Sequence, residues 1–212
     1  KIVAEGRRTI NNIERSASLF LVKTIYSCLN AILFLLIGEP YPFEPIQLSL
    51  ISTVTIGIPS FVLALEPNKE RINGNFLKNV ISKSLPTALC VTTNIFAITI
   101  LKKYNILTSE ESSTLCIIST GILGLLLLFT LAKSRKSEQS KLPFSIFRLT
   151  LALLMTILFI CCLTTFNWWF DITELYNLFD KILPLIITCI LNYIILNFIN
   201  SNYKALDYHR NN

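Results

Sequence analysis

The sequence is poor in charged side chains and has almost no histidine. Only 15% of its 212 residues are Asp, Glu, Lys or Arg, whereas an average soluble domain has about 25%. The one histidine, His209, lies in a polar segment near the C-terminus, and the long apolar stretches contain no Asp, Glu or His. An integral-membrane enzyme needs titratable groups that converge in a pocket, so this shortage argues against that class.

Motifs for phosphate binding and for common types of catalysis are also missing. The sequence has no Gly-rich phosphate loop, H-E-x-x-H, G-x-S-x-G or Cys-Pro-Cys. Its six cysteines lie inside the apolar stretches without a C-x-x-C pair, which predicts neither a disulfide framework nor a zinc site. We therefore expect no catalytic residue and no cofactor in this chain, and no ATP hydrolysis by the chain alone.

What the chain does have is apolar sequence. Hydrophobic residues make up 52% of it and the mean hydropathy is +0.58, which is typical of a membrane protein. The links between the apolar stretches are too short to fold alone. We predict an all-α fold, a bundle of six transmembrane helices within residues 17–212. The stretches long enough to span a bilayer are 17–37, 46–65, 80–101, 113–132, 146–165 and 182–199.

Lys and Arg are concentrated in alternate polar segments. They precede the first apolar stretch, follow the second and the fourth, and close the chain, whereas the first link has none and the fifth link is acidic. Basic residues mark the cytoplasmic side of a membrane protein. The net charge of +6 therefore predicts orientation in a lipid bilayer rather than a nucleic-acid partner. We expect a multi-pass protein of the plasma membrane with both termini in the cytoplasm.

The first apolar stretch continues a charged segment without a proline or turn between them. A helix of about 34 residues is about 50 Å long, whereas the hydrocarbon core of a bilayer is about 30 Å thick. Residues 1–16 are therefore predicted to be a stalk outside the membrane, of the kind that connects to a soluble domain. Because no link contains such a domain and the only methionine is Met155, we expect this chain to be part of a longer polypeptide.

Polar residues in the first stretch share one helix face. Lys23, Ser27 and Asn30 are spaced i, i+4 and i+7, and Thr24 lies beside them. Polar side chains in a spanning helix usually face the bundle interior or a wet cavity. Two interpretations of Lys23 are open at this stage: its side chain extends back to the cytoplasmic interface, or its ammonium is buried beside a transport site.

The second stretch combines hydroxyl residues with an interrupted helix. Gly57 and Pro59 stand in its middle, and proline removes a backbone donor, so carbonyls near Thr53 to Thr55 could lose their helical partners. Such carbonyls are good ligands for hard cations. Ser52 and Thr53 lie on the same arc. The alternative is an ordinary proline kink in which the hydroxyls bond back to their own helix.

Several short motifs occur together in the first 70 residues. They are Glu5-Gly6-Arg7, Asn11-Asn12-Ile13, Pro45-Ile46-Gln47-Leu48, Thr55-Ile56-Gly57-Ile58-Pro59-Ser60-Phe61 and Leu65-Glu66-Pro67-Asn68. These motifs resemble the C-terminal membrane half of bacterial P-type cation-transporting ATPases, whose transmembrane helices five to ten would correspond to the six stretches. The segment around residues 4–12 looks like the hinge from the phosphorylation domain, and T-I-G-I-P-S-F resembles one bacterial subgroup.

The resemblance implies that this chain is the cation-transport portion of an ATP-driven pump. ATP and Mg²⁺ would then act in missing nucleotide-binding, phosphorylation and actuator domains of an N-terminal remainder. The implied substrate is an inorganic cation such as calcium or magnesium. The positions of the two Asn, one Glu and one Asp ligands of the calcium pumps hold Thr24, Ser27, Ser52 and Ile56 here, so both carboxylates are missing.

The residues that would form the pathway lie on the polar faces of the first two stretches. We expect Gly57 and Pro59 to hold a helix break and Lys23 to act as an internal counter-charge, as a lysine does in some relatives of this type. The expected cation pathway consists of Thr24, Ser27, Ser52, Thr53 and Thr55. The alternative is a freestanding six-helix channel or accessory subunit that docks a cytoplasmic partner through its stalk.

Overall fold

The computed structural model describes residues 2–66, 75–132 and 146–210, and within these ranges the chain is helical with no strand. The predicted all-α fold is confirmed. A π-helical turn at Thr53–Gly57 joins α2 to α3, and a 3₁₀ turn at Leu175–Leu178 precedes α7. The helices are α1 (Ile2–Ile37), α2 (Pro45–Ser52), α3 (Ile58–Leu65), α4 (Phe76–Lys103), α5 (Ser109–Ala132), α6 (Ile146–Thr165) and α7 (Phe179–Arg210).

Among the described residues, five helical segments are long and apolar enough to cross a membrane, so this is a multi-pass membrane protein. They are α1, the continuous segment Pro45–Leu65, α4, α5 and α6. The sixth predicted stretch, 182–199, lies within the 32-residue helix α7. The basic residues of the links at 67–74 and 133–145, on which much of the predicted orientation depends, lie outside the described residues, as do the last two residues of the L-E-P-N motif.

Helix α1 is one unbroken rod of 36 residues, which at 1.5 Å per residue is about 54 Å long. It includes both the charged segment and the apolar stretch, and it packs mainly against α4 and α3. The end of the charged segment is buried, including Glu14 and Arg15. That part of the predicted stalk is therefore covered by neighbouring helices.

Helix α5 lies at the centre of the bundle and contacts α4, α6, α7 and the π turn. Two glycines allow its neighbours to approach closely. A Cβ atom on Gly121 would lie 2.1 Å from Cζ of Phe159, and one on Gly124 would lie 2.8 Å from Cγ2 of Thr55. Small residues at these positions therefore let α6 and the π turn pack directly against the backbone of α5.

Ionic contacts join α1 to Glu66 at the end of α3 and to α4, and they join Glu66 to α6. The Glu66 carboxylate accepts hydrogen bonds from Arg15 Nη1 at 2.8 Å and from Arg148 Nε at 2.8 Å. All three side chains are buried. On the adjacent side of α1, Lys83 Nζ donates to Glu14 at 2.7 Å. Because a charge buried without a partner is costly, these contacts fix the helices relative to one another.

Side chains of α1 also bind backbone carbonyls of α3 and of the residue that follows it. Asn12 Nδ2 donates to the carbonyl oxygens of Ala64 at 3.0 Å and of Glu66 at 2.7 Å, and Ser16 Oγ donates to that of Ser60 at 3.1 Å. Carbonyls in the last turn of a helix, such as that of Ala64, have no helical partner and need other donors. The two helices are therefore held together along α3 and at its C-terminal end.

Candidate cation pathway between the first two spans

The Lys23 ammonium donates a hydrogen bond to the Ser52 hydroxyl at 2.6 Å. Lys23 belongs to α1 and Ser52 to α2, so this contact joins the first two spans. Ser52 Oγ in turn donates to its own helix, at the carbonyl oxygen of Leu48, at 2.6 Å. Lys23 is half-buried, and its ammonium therefore points across to α2 rather than along α1 towards an interface.

The other predicted residues of α1 have different environments. Ser27 is half-buried, one turn beyond Lys23 on the same helix face. Thr24 is exposed and its hydroxyl donates to the carbonyl oxygen of Phe20 at 3.2 Å. Of the described residues, then, Lys23 and Ser52 meet between α1 and α2, whereas Thr24 faces away from the described helices.

Thr53 and Thr55 lie on different sides of the π turn. Thr53 is exposed, whereas Thr55 is buried and its hydroxyl donates to the carbonyl oxygen of Ile51 at 2.7 Å. Its methyl group packs over Gly124 of α5. Ser52 and Thr55 therefore bond back to their own helix, as the kink interpretation expected, and keep only their oxygen lone pairs for a ligand.

The segment with Gly57 and Pro59 remains helical but widens into the π turn. The N–H of Ile58 donates to the carbonyl oxygen of Thr53, five residues earlier, so this carbonyl has a helical partner. Pro59 has no N–H. The Val54 carbonyl consequently lacks both of its regular donors, because Ile58 bonds to Thr53 and the residue after Ile58 is proline.

The sequence predicted unpaired carbonyls near Thr53 to Thr55, a range that includes Val54, but not which of them loses its donor. The position of Pro59, five residues after Val54, identifies Val54 only once the turn is known to be π-helical. In an ordinary α-helix, Pro59 would instead leave the Thr55 carbonyl without a donor. The carbonyl oxygen of Val54 is thus a candidate ligand in addition to the Ser52 hydroxyl.

Gln47 organises a polar cavity at the start of α2. Its side-chain oxygen accepts hydrogen bonds from the backbone N–H of Glu44 at 3.0 Å and from Ser113 Oγ at 2.9 Å, and its Nε2 donates to the carbonyl oxygen of Asp171 at 3.1 Å. The cavity is about 420 Å³, and its lining includes Glu44, Glu110 and Asp171. Gln47 fixes the start of α2 against α5 and the segment before α7.

The chain is 30% identical over 213 residues to the probable cation-transporting ATPase exp7 of Streptococcus pneumoniae, an alignment that covers 97% of this chain and 26% of that protein. The chain is a homologue of cation-transporting ATPases. Calcium-transporting ATPase CtpE of Mycolicibacterium smegmatis is 45% identical over 105 residues, which are 45% of this chain and 13% of CtpE. CtpE of Mycobacterium tuberculosis is 44% identical over 100 residues, which are 42% of this chain and 12% of that protein.

The homologous chain spans about a quarter or less of the length of these relatives. No protein-family model matches it. The relatives support the bacterial P-type resemblance over the membrane region and do not favour a freestanding channel or accessory subunit.

Proposed function

We propose that this chain is the cation-translocating membrane portion of an ATP-driven P-type pump of the plasma membrane, with both termini in the cytoplasm. The observation that carries this proposal is the alignment of 97% of the chain with a probable cation-transporting ATPase. ATP and Mg²⁺ would be bound by domains in the N-terminal remainder. T-I-G-I-P-S-F assigns the pump to the bacterial subgroup that the sequence resembles.

The transported ion in this proposal is a hard inorganic cation, calcium or magnesium. Calcium is supported by the name of CtpE, and the candidate ligands are oxygens: the hydroxyls of Ser27 and Ser52 and the carbonyl of Val54. All of them are neutral, and a divalent site needs more negative charge than they supply. We propose that a transmembrane helix of the N-terminal remainder covers Thr24 and Thr53 and completes the site.

Lys23 is the counter-charge of this pathway. Its ammonium occupies the Ser52 hydroxyl that a cation would need, so the two positive charges compete for one oxygen. At 4 Å and an effective dielectric constant of 20, two unit charges repel by about 4 kcal/mol. Cation binding would therefore displace the ammonium, and its return after release would remove the need for a transported counter-ion.

The reading frame before Lys1 provides the test. It should encode Asp-Lys-Thr-Gly-Thr and Gly-Asp-Gly-x-Asn-Asp, and the protein translated from the whole frame should accumulate radioactive calcium or magnesium in inside-out vesicles when ATP is added. The matched control replaces the Asp of Asp-Lys-Thr-Gly-Thr by Asn, which removes the phosphorylated carboxylate. A start codon at this position with neither motif upstream, or uptake without ATP, would contradict the proposal.

A further inference from the structure

A small chamber lies between α1, the second span, α4 and α5. The space open to the centre of a water molecule is about 10 Å³. Three hydroxyl-bearing residues line it, Tyr26 from α1, Thr55 from the π turn and Thr120 from α5, and the remaining lining is apolar apart from Gly124. Thr120 and Gly124 are one helical turn apart, which places Thr120 on the face of α5 that contacts Thr55.

Two of these hydroxyls are buried without a partner among the described residues. Tyr26 and Thr120 are each 2% exposed, and neither Tyr26 Oη nor Thr120 Oγ1 forms a hydrogen bond there. A buried hydroxyl without a partner costs about 1–3 kcal/mol, so two of them at one small space indicate a polar occupant. Thr55 uses its proton on the carbonyl oxygen of Ile51 but keeps its lone pairs.

We infer that this chamber is a binding site for one water molecule, held by Tyr26 Oη and Thr120 Oγ1 with Thr55 Oγ1 as a third, accepting partner. The size fits, because a space of about 10–15 Å³ measured in this way holds one water, and a buried water needs two to four polar partners. The inference rests on these three hydroxyls and the chamber and not on the proposed function.

The chemistry of the lining selects water rather than a metal cation. All three side-chain oxygens are neutral, and no carboxylate lines the chamber. A divalent cation takes six or more oxygen ligands, usually including carboxylates, and three hydroxyls cannot replace its hydration shell. The water therefore bridges α1 and α5 beside the π turn, where it gives the hydroxyls of Tyr26 and Thr120 the partners that the described residues do not supply.

Radiolytic hydroxyl labelling of the full chain in lipid nanodiscs tests this site. A short X-ray pulse converts bound water into hydroxyl radicals, which label an adjacent aromatic ring even when bulk solvent cannot reach it. Tyr26 should be labelled, whereas Phe159, which is as deeply buried at 3% exposed and lies against Gly121, should not. Tyr26 labelling no higher than that of Phe159 would overturn the inference.

Matched variants separate the site from general changes in packing. Thr120→Val keeps the shape but removes the hydroxyl, and it should reduce Tyr26 labelling to the level of Phe159. Thr120→Ser keeps the hydroxyl and should preserve the labelling, as should Thr156→Val on α6, whose hydroxyl bonds within its own helix. Undiminished labelling in a folded Thr120→Val chain would contradict the site. So would a loss of Tyr26 labelling on adding Na⁺, K⁺ or Ca²⁺ to a metal-free buffer, because a cation would then be the occupant.

Discussion

The ammonium of Lys23 and the hydroxyl of Ser52 are 2.6 Å apart, and this hydrogen bond links the two spans that carry the predicted pathway. If the Lys23 side chain extended to a membrane interface, the Ser52 hydroxyl would have only its hydrogen bond to the Leu48 carbonyl. The contact therefore turns the counter-charge hypothesis into a prediction about one pair of side chains.

In the complete pump, Lys23→Met should raise the apparent cation affinity by about tenfold or more, because removing 1.4 kcal/mol of repulsion already corresponds to a factor of ten. It should also slow dephosphorylation, since no ammonium replaces the departing ion. Cation-dependent phosphoenzyme formation and its decay measure the two effects. Lys23→Arg, which keeps the charge, is the control. If a well-folded Lys23→Met pump shows unchanged affinity and decay, Lys23 is not a counter-charge.

Pro59→Ala should weaken cation-stimulated phosphorylation. The substitution returns an N–H to the turn and gives the Val54 or Thr55 carbonyl a helical donor, which removes a candidate ligand. Pro86→Ala is the matched control, because Pro86 is also buried inside a helix but lies in α4, away from the pathway. If the apparent cation affinity stays within about twofold of the parent, which is a change of less than about 0.5 kcal/mol in binding free energy, the π turn has a structural role only.

Glu66→Gln should destabilise the bundle by about 3–5 kcal/mol, because it leaves Arg15 and Arg148 buried beside a neutral group. Replacing all three residues together by Met or Leu should recover most of that loss, since a well-packed apolar cluster needs no ion pairing. Denaturant unfolding in detergent micelles measures both. Glu5→Gln is the control: its 3.1 Å pair with Arg8 is exposed and should contribute at most about 1 kcal/mol.

Gly121→Ala should also destabilise the bundle, by about 1–3 kcal/mol, because the new methyl group would overlap the ring of Phe159. Adding Phe159→Leu removes the outer ring atoms and should restore part of the stability. The test is the coupling free energy of this double-mutant cycle: the double variant should be more stable than the sum of the two single effects predicts. Strictly additive effects of the two substitutions would show that the ring simply moves aside.

The proposed orientation predicts which sites a membrane-impermeant thiol reagent reaches in a cysteine-free background. Glu39→Cys and Ile106→Cys should react from outside the cell, and Glu5→Cys only after the membrane is opened. Both Glu5 and Ile106 are exposed in the structure. Reaction of Glu5→Cys in intact cells would reverse the topology.

The helices were predictable from the sequence because apolar length alone determines where a spanning segment is stable. The unbroken α1 followed from the lack of Pro between its charged and apolar parts. Side-chain partners were less predictable. Thr24 sits 100° from Lys23 on α1 and its side chain is exposed, so its place in the pathway stays a prediction.

Two features of the structure depend on distant residues and had no local signal. Arg15 reads as part of a solvated stalk until Glu66 and Arg148 are placed beside it. The hydroxyls of Tyr26 and Thr120 are ordinary polar positions in their own helices. Only the packing of α1 and α5 around the π turn shows that both lack a partner among the described residues.

The π turn also determines how far α3 is rotated about the helix axis relative to α2. One extra residue per turn rotates everything beyond it by about 100° relative to a plain α-helix. Gln47 anchors the start of α2, and Asn12 and Ser16 anchor α3, so neither half is free to rotate. Deleting a single residue between Ser52 and Ile58 would therefore be absorbed within the turn, which would become a plain α-helix while the Ser52 hydroxyl keeps its contact with Lys23.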